Sequence, residues 1–340
     1  MGRALWNDLQ TPRAFPLLDD AAKGGNLLAM DLLGNMYTDG DGVPKDPELG
    51  ADYYRRAAER GYAPAQNSYG LALDFGQGVA RDYVEAARWY RRAALQGVPR
   101  AMSNIGLMYQ DGLGVDQDPI AAFGWFTRAA QVGDASGQVN LGKMYQDGNG
   151  IPVDEDRAAR LYKQAAEQGN LYGMNNLGYF YEKGIGVEQN MDKAIALYTE
   201  AADKGLALAQ HNLAIVYEDG IGVAPDIDKA VELYTKAAED GEVRAQINLG
   251  LLYIEGTKVP TDYAQGLRWT RMAAEAGHPM AQNNLGYLYE NGFGVIPDLT
   301  TARHWYELAA AQGNELAIES LQRLDSQPAN GNSGPKIKVK

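Results

Sequence analysis

The amino-acid sequence predicts an all-α protein, a right-handed α/α superhelical solenoid of eight 36-residue helix-turn-helix repeats with capping helices. Two observations predict this fold. Glycine recurs at a constant spacing of 36 residues, and apolar residues within each period follow the spacing of three and four that marks amphipathic helices. The recurring glycines are Gly25, Gly61, Gly97, Gly133, Gly169, Gly205, Gly241, Gly277 and Gly313. A period that never slips indicates small helical units that bury their apolar faces against their neighbours.

Each period contains two predicted helices separated by a glycine turn. The first helix reads A-x-x-x-L-G-x-x-Y and the second reads A-x-x-W-Y-x-x-A-A. Gly112 and Gly114, in the turn of the third unit, provide a left-handed cap that ends the first helix. An Asp or Asn just ahead of the second helix accepts hydrogen bonds from free backbone N–H groups. These predicted caps are Asp46, Asp82, Asp118, Asp154, Asn190, Asp226, Asp262 and Asp298.

The periodic pattern divides the chain into four segments. Residues 1–25 keep only the second-helix pattern and form a predicted N-terminal capping segment, and residues 26–313 form the eight repeats. Residues 314–325 replace the glycine and tyrosine positions by polar residues, which predicts a C-terminal capping helix that closes the stack against water. Residues 326–340 are rich in Ser, Asn, Gly and Pro, and this composition predicts a disordered tail.

Three motifs together indicate a family. Leu-Gly-x-x-Tyr, the Gly-x-Gly-Val turn and Trp-Tyr-x-x-Ala-Ala resemble Sel-one-like repeats (SLR), a subclass of the tetratricopeptide superfamily of α-solenoids, over about residues 12–324. The resemblance implies an interaction scaffold or adaptor. Similar proteins are periplasmic and secreted bacterial regulators, host-interaction factors and adaptors of eukaryotic protein-degradation complexes. Some cysteine-rich bacterial relatives are linked to penicillin binding, and this chain, with no cysteine, departs from that branch.

Net charge and hydropathy argue against two classes of partner. The formal charge of -13 repels phosphate backbones, so nucleic acid is not expected as a partner. Polar residues interrupt every apolar stretch before the roughly 18 residues that a membrane helix needs, so membrane insertion is not expected. The N-terminal residues contain no basic region followed by an apolar block, which predicts a cytoplasmic protein as written. A trimmed leader would instead make the protein periplasmic or secreted.

The sequence indicates no catalytic residues, no metal site and no cofactor, so the protein is predicted not to be an enzyme. His211, His278 and His304 fall at different positions of different repeats and therefore do not predict a shared site. Ser333 and Lys336 match the S-x-x-K pattern of penicillin-interacting enzymes, but the S-D-N and K-T-G partners are missing. The alternative is an enzyme or small-ligand-binding protein, for example a cell-wall-related one, with a site assembled across repeats.

A column of asparagines in the first helices marks the candidate binding face. In helix-pair solenoids of this superfamily the first helices line the concave surface, and at about 100° per residue this column lies away from the core positions. An asparagine amide both donates and accepts, which suits it to hold the backbone of a protein or peptide partner. The alternative is a hydrogen bond to a neighbouring helix in every repeat. The column consists of Asn104, Asn140, Asn176, Asn212, Asn248 and Asn284.

Two further groups complete the predicted peptide-binding groove. Tyr179 and Tyr287 follow asparagines of the column by three residues, and we expect them to contact partner side chains because aromatic residues dominate interface energetics. The alternative for them is a contact between adjacent first helices. Glu182 and Glu218 belong to an acidic last turn of the first helices, where carboxylates oppose the helix macrodipole. These acids predict a partner with basic groups, and turn chemistry is the alternative.

The seventh repeat deviates most from the common pattern. Lys258 replaces the second turn glycine, Gly266 replaces an alanine and Thr270 replaces an aromatic residue. Two interpretations stay open at this point. The substitutions compensate one another within the ordinary fold, or the repeat packs differently and changes the superhelix locally.

Overall fold

The computed structural model describes residues 11–326. Within this range the chain divides into two compact units, residues 11–173 with 185–187 and residues 174–184 with 188–326. Every regular element of the described range is an α-helix, and no strand occurs there. The predicted all-α class and the 36-residue helix-turn-helix repeat are therefore confirmed.

Eighteen helices occupy the described range, α1 to α18, each of 12 or 13 residues. The first nine are α1 (Thr11–Lys23), α2 (Leu27–Asp39), α3 (Pro47–Glu59), α4 (Ala63–Phe75), α5 (Tyr83–Leu95), α6 (Pro99–Asp111), α7 (Pro119–Gln131), α8 (Ala135–Asp147) and α9 (Glu155–Glu167). The others are α10 (Leu171–Lys183), α11 (Met191–Asp203), α12 (Ala207–Asp219), α13 (Ile227–Glu239), α14 (Val243–Glu255), α15 (Tyr263–Glu275), α16 (Pro279–Asn291), α17 (Leu299–Ala311) and α18 (Glu315–Ser326). Helices α2 to α17 form the eight repeats, and the even-numbered ones are the first helices.

Local capping sets the ends of these helices as the sequence predicts. Each second helix is preceded by the predicted Asp or Asn, whose side chain accepts from a backbone N–H of the first turn. Asp82, for example, accepts from the N–H of Glu85 at 3.0 Å. The first helix α6 ends at Gly112, whose φ of 69° lies in the left-handed region that favours glycine. Each Asp or Asn cap at the start of a second helix stabilises that helix by about 1 kcal/mol.

A glycine in the middle of the first helix lets the two helices of a repeat approach closely. In the first unit, a methyl group added at Gly142 would lie only 2.8 Å from Cε1 of Tyr162 on the following helix. In the second unit, Gly178 faces Tyr198 at 2.9 Å in the same way. Carbon atoms in ordinary contact are about 3.5 to 4.0 Å apart, so the space beside each glycine is filled by the tyrosine ring.

The two tyrosine columns of the repeat differ in burial. The first-helix tyrosines are only half-buried. Tyr37, for example, stacks on Tyr53 with 5.8 Å between ring centroids, and the Lys229 ammonium lies 4.1 Å from the ring centroid of Tyr217. The buried aromatic column belongs to the second helices instead. Its members are Tyr54, Tyr90, Phe126, Tyr162, Tyr198, Tyr234 and Tyr306.

The last helix, α18, packs against α17 at the end of the second unit. Arg323 on α18 donates to both carboxylate oxygens of Glu290 on α16, at 2.5 and 2.7 Å. Helix α18 ends at Ser326, so all but the first residue of the predicted disordered tail lies outside the described residues. The first ten residues of the predicted N-terminal capping segment also lie outside them, and α1 packs against α2.

Candidate functional site

The six asparagines of the predicted column are all half-buried, and three of them donate to the preceding repeat. In the first unit, the Asn104 amide donates to Oδ1 of Asn67 at 3.0 Å. In the second unit, Asn212 donates to Oδ1 of Asn175 at 2.8 Å. Each pair joins adjacent repeats at a sequence separation of 37 residues. The side chains of Asn104 and Asn212 therefore hold neighbouring first helices together.

Asn248 makes the third such contact, with a histidine as the acceptor. Its amide nitrogen lies 3.3 Å from Nε2 of His211 and 3.3 Å from the hydroxyl of Tyr234. Nδ1 of His211 lies 3.3 Å from Oδ1 of Asn212, which accepts from it. Burial lowers the pKa of His211 below its ordinary value, so the ring is kept neutral and Nε2 is free to accept. The histidine thus acts in packing.

The amide nitrogens of the other three asparagines donate no hydrogen bond to any described residue. These three are Asn140, Asn176 and Asn284. For Asn140 and Asn284 the cause lies in the residue 37 positions earlier. Ile247 has no polar side-chain atom, and Ser103 donates instead to Asp134 at 2.7 Å. For these two asparagines the side chain in the preceding repeat therefore decides that the amide stays available.

Asn176 and Asn284 share a local sequence that the other available asparagine lacks. Both lie in the pentapeptide Asn-Asn-Leu-Gly-Tyr, which places Tyr179 and Tyr287 one helical turn further on the same face. Tyr179 is 39% exposed. Tyr287 is half-buried beside Phe293, with 5.7 Å between ring centroids, and this burial raises its pKa above the ordinary value. Two Asn-x-x-Tyr pairs thus combine a free amide donor with an accessible ring.

The predicted acidic residues already have partners within their own repeats. Glu182 accepts from the hydroxyl of Tyr198 at 2.9 Å, and Glu218 accepts from the hydroxyl of Tyr234 at 2.7 Å. Burial is the main cause that raises the pKa of Tyr198 far above its ordinary value, with the charge of Glu182 second, so the hydroxyl keeps its proton and donates. These hydrogen bonds compensate for carboxylates at the negative end of a helix dipole. Their role towards a basic partner stays a prediction.

Sequence reasoning missed a second set of polar contacts, made by glutamines. Gln66, buried in α4, donates to the carbonyl of Ala58 at 3.2 Å and accepts from Gln96 at 2.7 Å. Gln138 with Gln168 and Gln282 with Gln312 repeat the side-chain bond at 2.7 and 2.8 Å. The signal was present as two glutamine positions separated by 30 residues. Their function is structural, because they satisfy polar atoms between packed helices.

No group of three His, Asp or Glu side chains in the described part of the chain is arranged to hold a metal ion. No helix among residues 11–326 has the length and apolar character needed to cross a membrane.

Helix pairs that recur every 36 residues, with hydrogen bonds between adjacent repeats within each unit, define a helical repeat protein. The Sel1 repeat model matches the chain eight times in succession, so the chain belongs to the Sel1 repeat family. The matched residues are 27–62, 63–98, 99–134, 135–170, 171–206, 207–242, 243–278 and 279–314. The predicted family is therefore confirmed.

Solved structures of two bacterial proteins resemble this chain over most of its length. c5321, a protective antigen present in uropathogenic Escherichia coli strains, displays an SLR fold and is 38% identical, with a TM-score of 0.60. The match covers 91% of this chain and 66% of that one, so this chain spans just under two thirds of its length. A Sel1 repeat protein from Oxalobacter formigenes is 33% identical, with a TM-score of 0.62 and coverage of 92% and 90%.

A more distant similarity concerns the fold alone. Yeast Tom70 is 15% identical, with a TM-score of 0.50, and the match covers 82% of this chain and 60% of that one. No curated protein matches this chain. Helical repeats of this type commonly serve as protein-interaction scaffolds.

Proposed function

We propose that this protein is a non-catalytic interaction scaffold whose second unit binds an extended segment of a partner protein on its first helices. One observation carries the proposal: two Asn-x-x-Tyr pairs present an unused amide donor beside an accessible ring. Asn176 with Tyr179 lies on α10, and Asn284 with Tyr287 lies on α16. In this unit the other two asparagines of the column are occupied by neighbouring side chains.

The chemistry of each pair suits a peptide backbone. The Oδ1 atoms of Asn176 and Asn284 accept from the preceding asparagine at 3.2 and 3.4 Å, so the amide nitrogen remains as a donor for a peptide carbonyl. A backbone carbonyl occurs at every residue, and binding through it does not require a particular partner sequence. Tyr179 and Tyr287 supply apolar surface with few rotatable bonds, which favours contact with partner side chains.

The spacing of the pairs sets the length of the bound segment. Successive first helices lie roughly 10 Å apart, and α10 and α16 are three repeats apart. The pairs are then about 30 Å apart, which an extended segment of about nine residues covers at roughly 3.3 Å per residue. A small metabolite would contact one pair only.

Peptide selection against the full-length chain tests this proposal. Peptides are selected from a random displayed library, and their affinities are measured by fluorescence anisotropy. We expect the combined substitution Asn176→Ala, Tyr179→Ala, Asn284→Ala and Tyr287→Ala to weaken binding at least about tenfold, which corresponds to about 1.4 kcal/mol. Circular dichroism should show unchanged helicity.

A matched control comes from the same asparagine column. Asn212→Ala and Asn248→Ala remove structural hydrogen bonds of the same residue type, so they should lower the melting temperature while the folded protein binds the peptides as before. Equal binding by the wild type and the fourfold variant would show that the face is not the binding site. A loss with the control pair instead would assign binding to the structural asparagines.

A further inference from the structure

The second unit has an acidic edge close to the point where the described chain ends. The acidic edge consists of Glu218, Asp219, Glu255 and Glu290, in the last turns of α12, α14 and α16. Lys258 lies 2.9 Å from carboxylate oxygens of both Glu218 and Asp219, and Arg323 neutralises Glu290. Glu255 is exposed and forms no ion pair with any described residue. Two cations thus face four carboxylates at the negative ends of three helix dipoles, so further cations would be stabilised there.

An apolar row runs beside the acidic edge on the same helix faces. The row consists of Ile215, Leu251 and Tyr287, which are all half-buried. Ile215 precedes Asp219 by four residues and Leu251 precedes Glu255 by four, so each pair lies one helical turn apart on one face. A chain that crosses α14 and α12 between the two rows has carboxylates on one side and apolar side chains on the other.

The sequence beyond Ser326 matches this arrangement. It contains fourteen residues and includes Lys-Ile-Lys-Val-Lys at 336–340. In an extended chain, successive side chains point to opposite sides, so the three lysines share one side while Ile337 and Val339 share the other. The lysines and the acidic edge are complementary in charge, and the two aliphatic residues are complementary to the apolar row.

The point at which the tail begins also fits. Arg323, one turn before the end of α18, binds Glu290, so the chain leaves α18 next to the acidic edge. Ten residues lead from Ser326 to Lys336, which allow a reach of up to about 33 Å. Helices α14 and α12 are the second and third first helices from α18, roughly 20 and 30 Å away. An extended segment of ten residues is therefore long enough to span the distance from Ser326 to Glu255 and Asp219.

We propose that residues 336–340 of this chain dock in extended form across α14 and α12, between the acidic edge and the apolar row of the same molecule. The docked tail covers part of the face assigned above to partner binding and competes with a partner for it. The competition between the tail and a partner rests on the proposed function. The docking itself does not, because across α14 and α12 it uses Asp219 and Glu255 of the acidic edge and Ile215 and Leu251 of the apolar row, none of which belongs to an Asn-x-x-Tyr pair.

A synthetic peptide of residues 327–340, labelled with a fluorophore, tests the docking on full-length chains by anisotropy. The chains compared are the wild type, a variant with Lys336→Glu, Lys338→Glu and Lys340→Glu, and a matched variant with arginine at the same positions. A tethered tail has an effective concentration in the millimolar range. We therefore expect the glutamate variant to bind the added peptide at least about tenfold more tightly than the wild type or the arginine variant. Added salt should weaken this binding.

Two further measurements identify the surface and the molecule involved. Adding Glu255→Gln and Asp219→Asn to the glutamate variant should remove most peptide binding, and unchanged affinity would overturn the proposed surface. Equal affinity of all three chains, or no binding to any, would overturn the docking. Concentration-dependent dimers of the wild type that the glutamate substitutions dissociate would show docking on a second copy and overturn the intramolecular form. Binding of the selected library peptides through the Asn-x-x-Tyr pairs is measured separately, so either proposal can fail alone.

Discussion

The seventh and eighth repeats each hold their first and second helices together, but they do so with different side-chain contacts. In the eighth repeat, the ring of Tyr306 fills the space beside Gly286, and its hydroxyl donates to Glu290 at 2.8 Å. In the seventh repeat, Thr270 stands in place of the tyrosine and Ile254 in place of the glutamate, and both are buried. An apolar contact therefore replaces a hydrogen bond to a charged group at the same position of the repeat.

Gly266 completes this exchange. A methyl group added at Gly266 would lie 2.5 Å from Cγ1 of Ile254, so the alanine found in most repeats does not fit beside a branched side chain. The first repeat shows the same combination, because Gly50 faces the branched Thr38. The comparison teaches that a branched side chain at the end of the first helix goes with glycine on the facing helix, in the seventh repeat as in the first.

The largest expected effect comes from filling the space of the tyrosine in the eighth repeat. A side chain at Gly286 would begin 2.8 Å from Cδ1 of Tyr306 and 3.0 Å from the carbonyl oxygen of Ala302. We expect Gly286→Leu to lower the free energy of unfolding by about 3 kcal/mol or more through overpacking. The control is Gly124→Leu, where no atom lies within 4 Å of the added carbon. Chemical denaturation that shows equal stability for both variants would contradict the close packing.

The second prediction measures how far Ile254, Thr270 and Gly266 of the seventh repeat depend on one another for stability. Ile254→Glu alone introduces a carboxylate at a buried position with no tyrosine to donate to it, so we expect a loss of about 2 kcal/mol. Adding Thr270→Tyr and Gly266→Ala restores the arrangement of the eighth repeat and should recover most of this loss. The measurement is a mutant cycle by chemical denaturation. Additive losses would mean that the three positions are independent.

Asp31 in the first repeat is a buried acidic residue whose carboxyl group is only partly compensated by hydrogen bonds. It is 7% exposed with Oδ1 unpartnered, and burial raises the pKa of its carboxyl from 3.8 to about 6, although a hydrogen bond with Ser68 lowers it in part. Because the folded state binds the proton more tightly, the free energy of unfolding falls as pH rises from about 4 to 6. The total fall is about 3 kcal/mol.

Substitution of this residue tests the sign of that effect. We expect Asp31→Asn to stabilise the protein by about 3 kcal/mol at pH 7, where the wild-type carboxylate is charged, which equals the fall in wild-type stability given above. At pH 4 the two proteins should be nearly equal, because the wild-type carboxyl is then protonated. Urea denaturation at the two pH values measures the difference. A variant that is less stable than the wild type at pH 7 would show that the charge is stabilising.

The smallest expected effect concerns the glutamine contact that the seventh repeat lacks. Gln312 donates to Gln282 in the eighth repeat, whereas Ala276 stands at the equivalent position of the seventh and Oε1 of Gln246 has no partner. Ala276→Gln should supply the donor and stabilise the protein by about 1 kcal/mol. The matched control is Val132→Gln. The residue 30 positions earlier is Met102, which cannot accept the hydrogen bond as a glutamine does, so we expect no gain in melting temperature. A similar gain in both variants would attribute it to helix propensity.

Local residue chemistry determined most of the fold. The eight repeats, the helix boundaries and their caps follow from residues within a few positions of one another, such as Asp82 and the N–H of Glu85, so they were readable from the sequence. The family also followed from these local motifs. The asparagine column was read from the same local pattern, because helical periodicity alone sets the direction of a side chain.

Only the tertiary structure decided which of these side chains are free. Asn212 and Asn284 occupy the same position of the repeat, yet Asn212 donates to Asn175, whereas the residue at the equivalent distance before Asn284 is the apolar Ile247. The acidic Glu182 is likewise held by Tyr198, a residue of the next helix. A hydrogen bond acts over about 3 Å in space, so the sequence determines the candidates, and the packing of one repeat on the next determines which of them remain available for a partner.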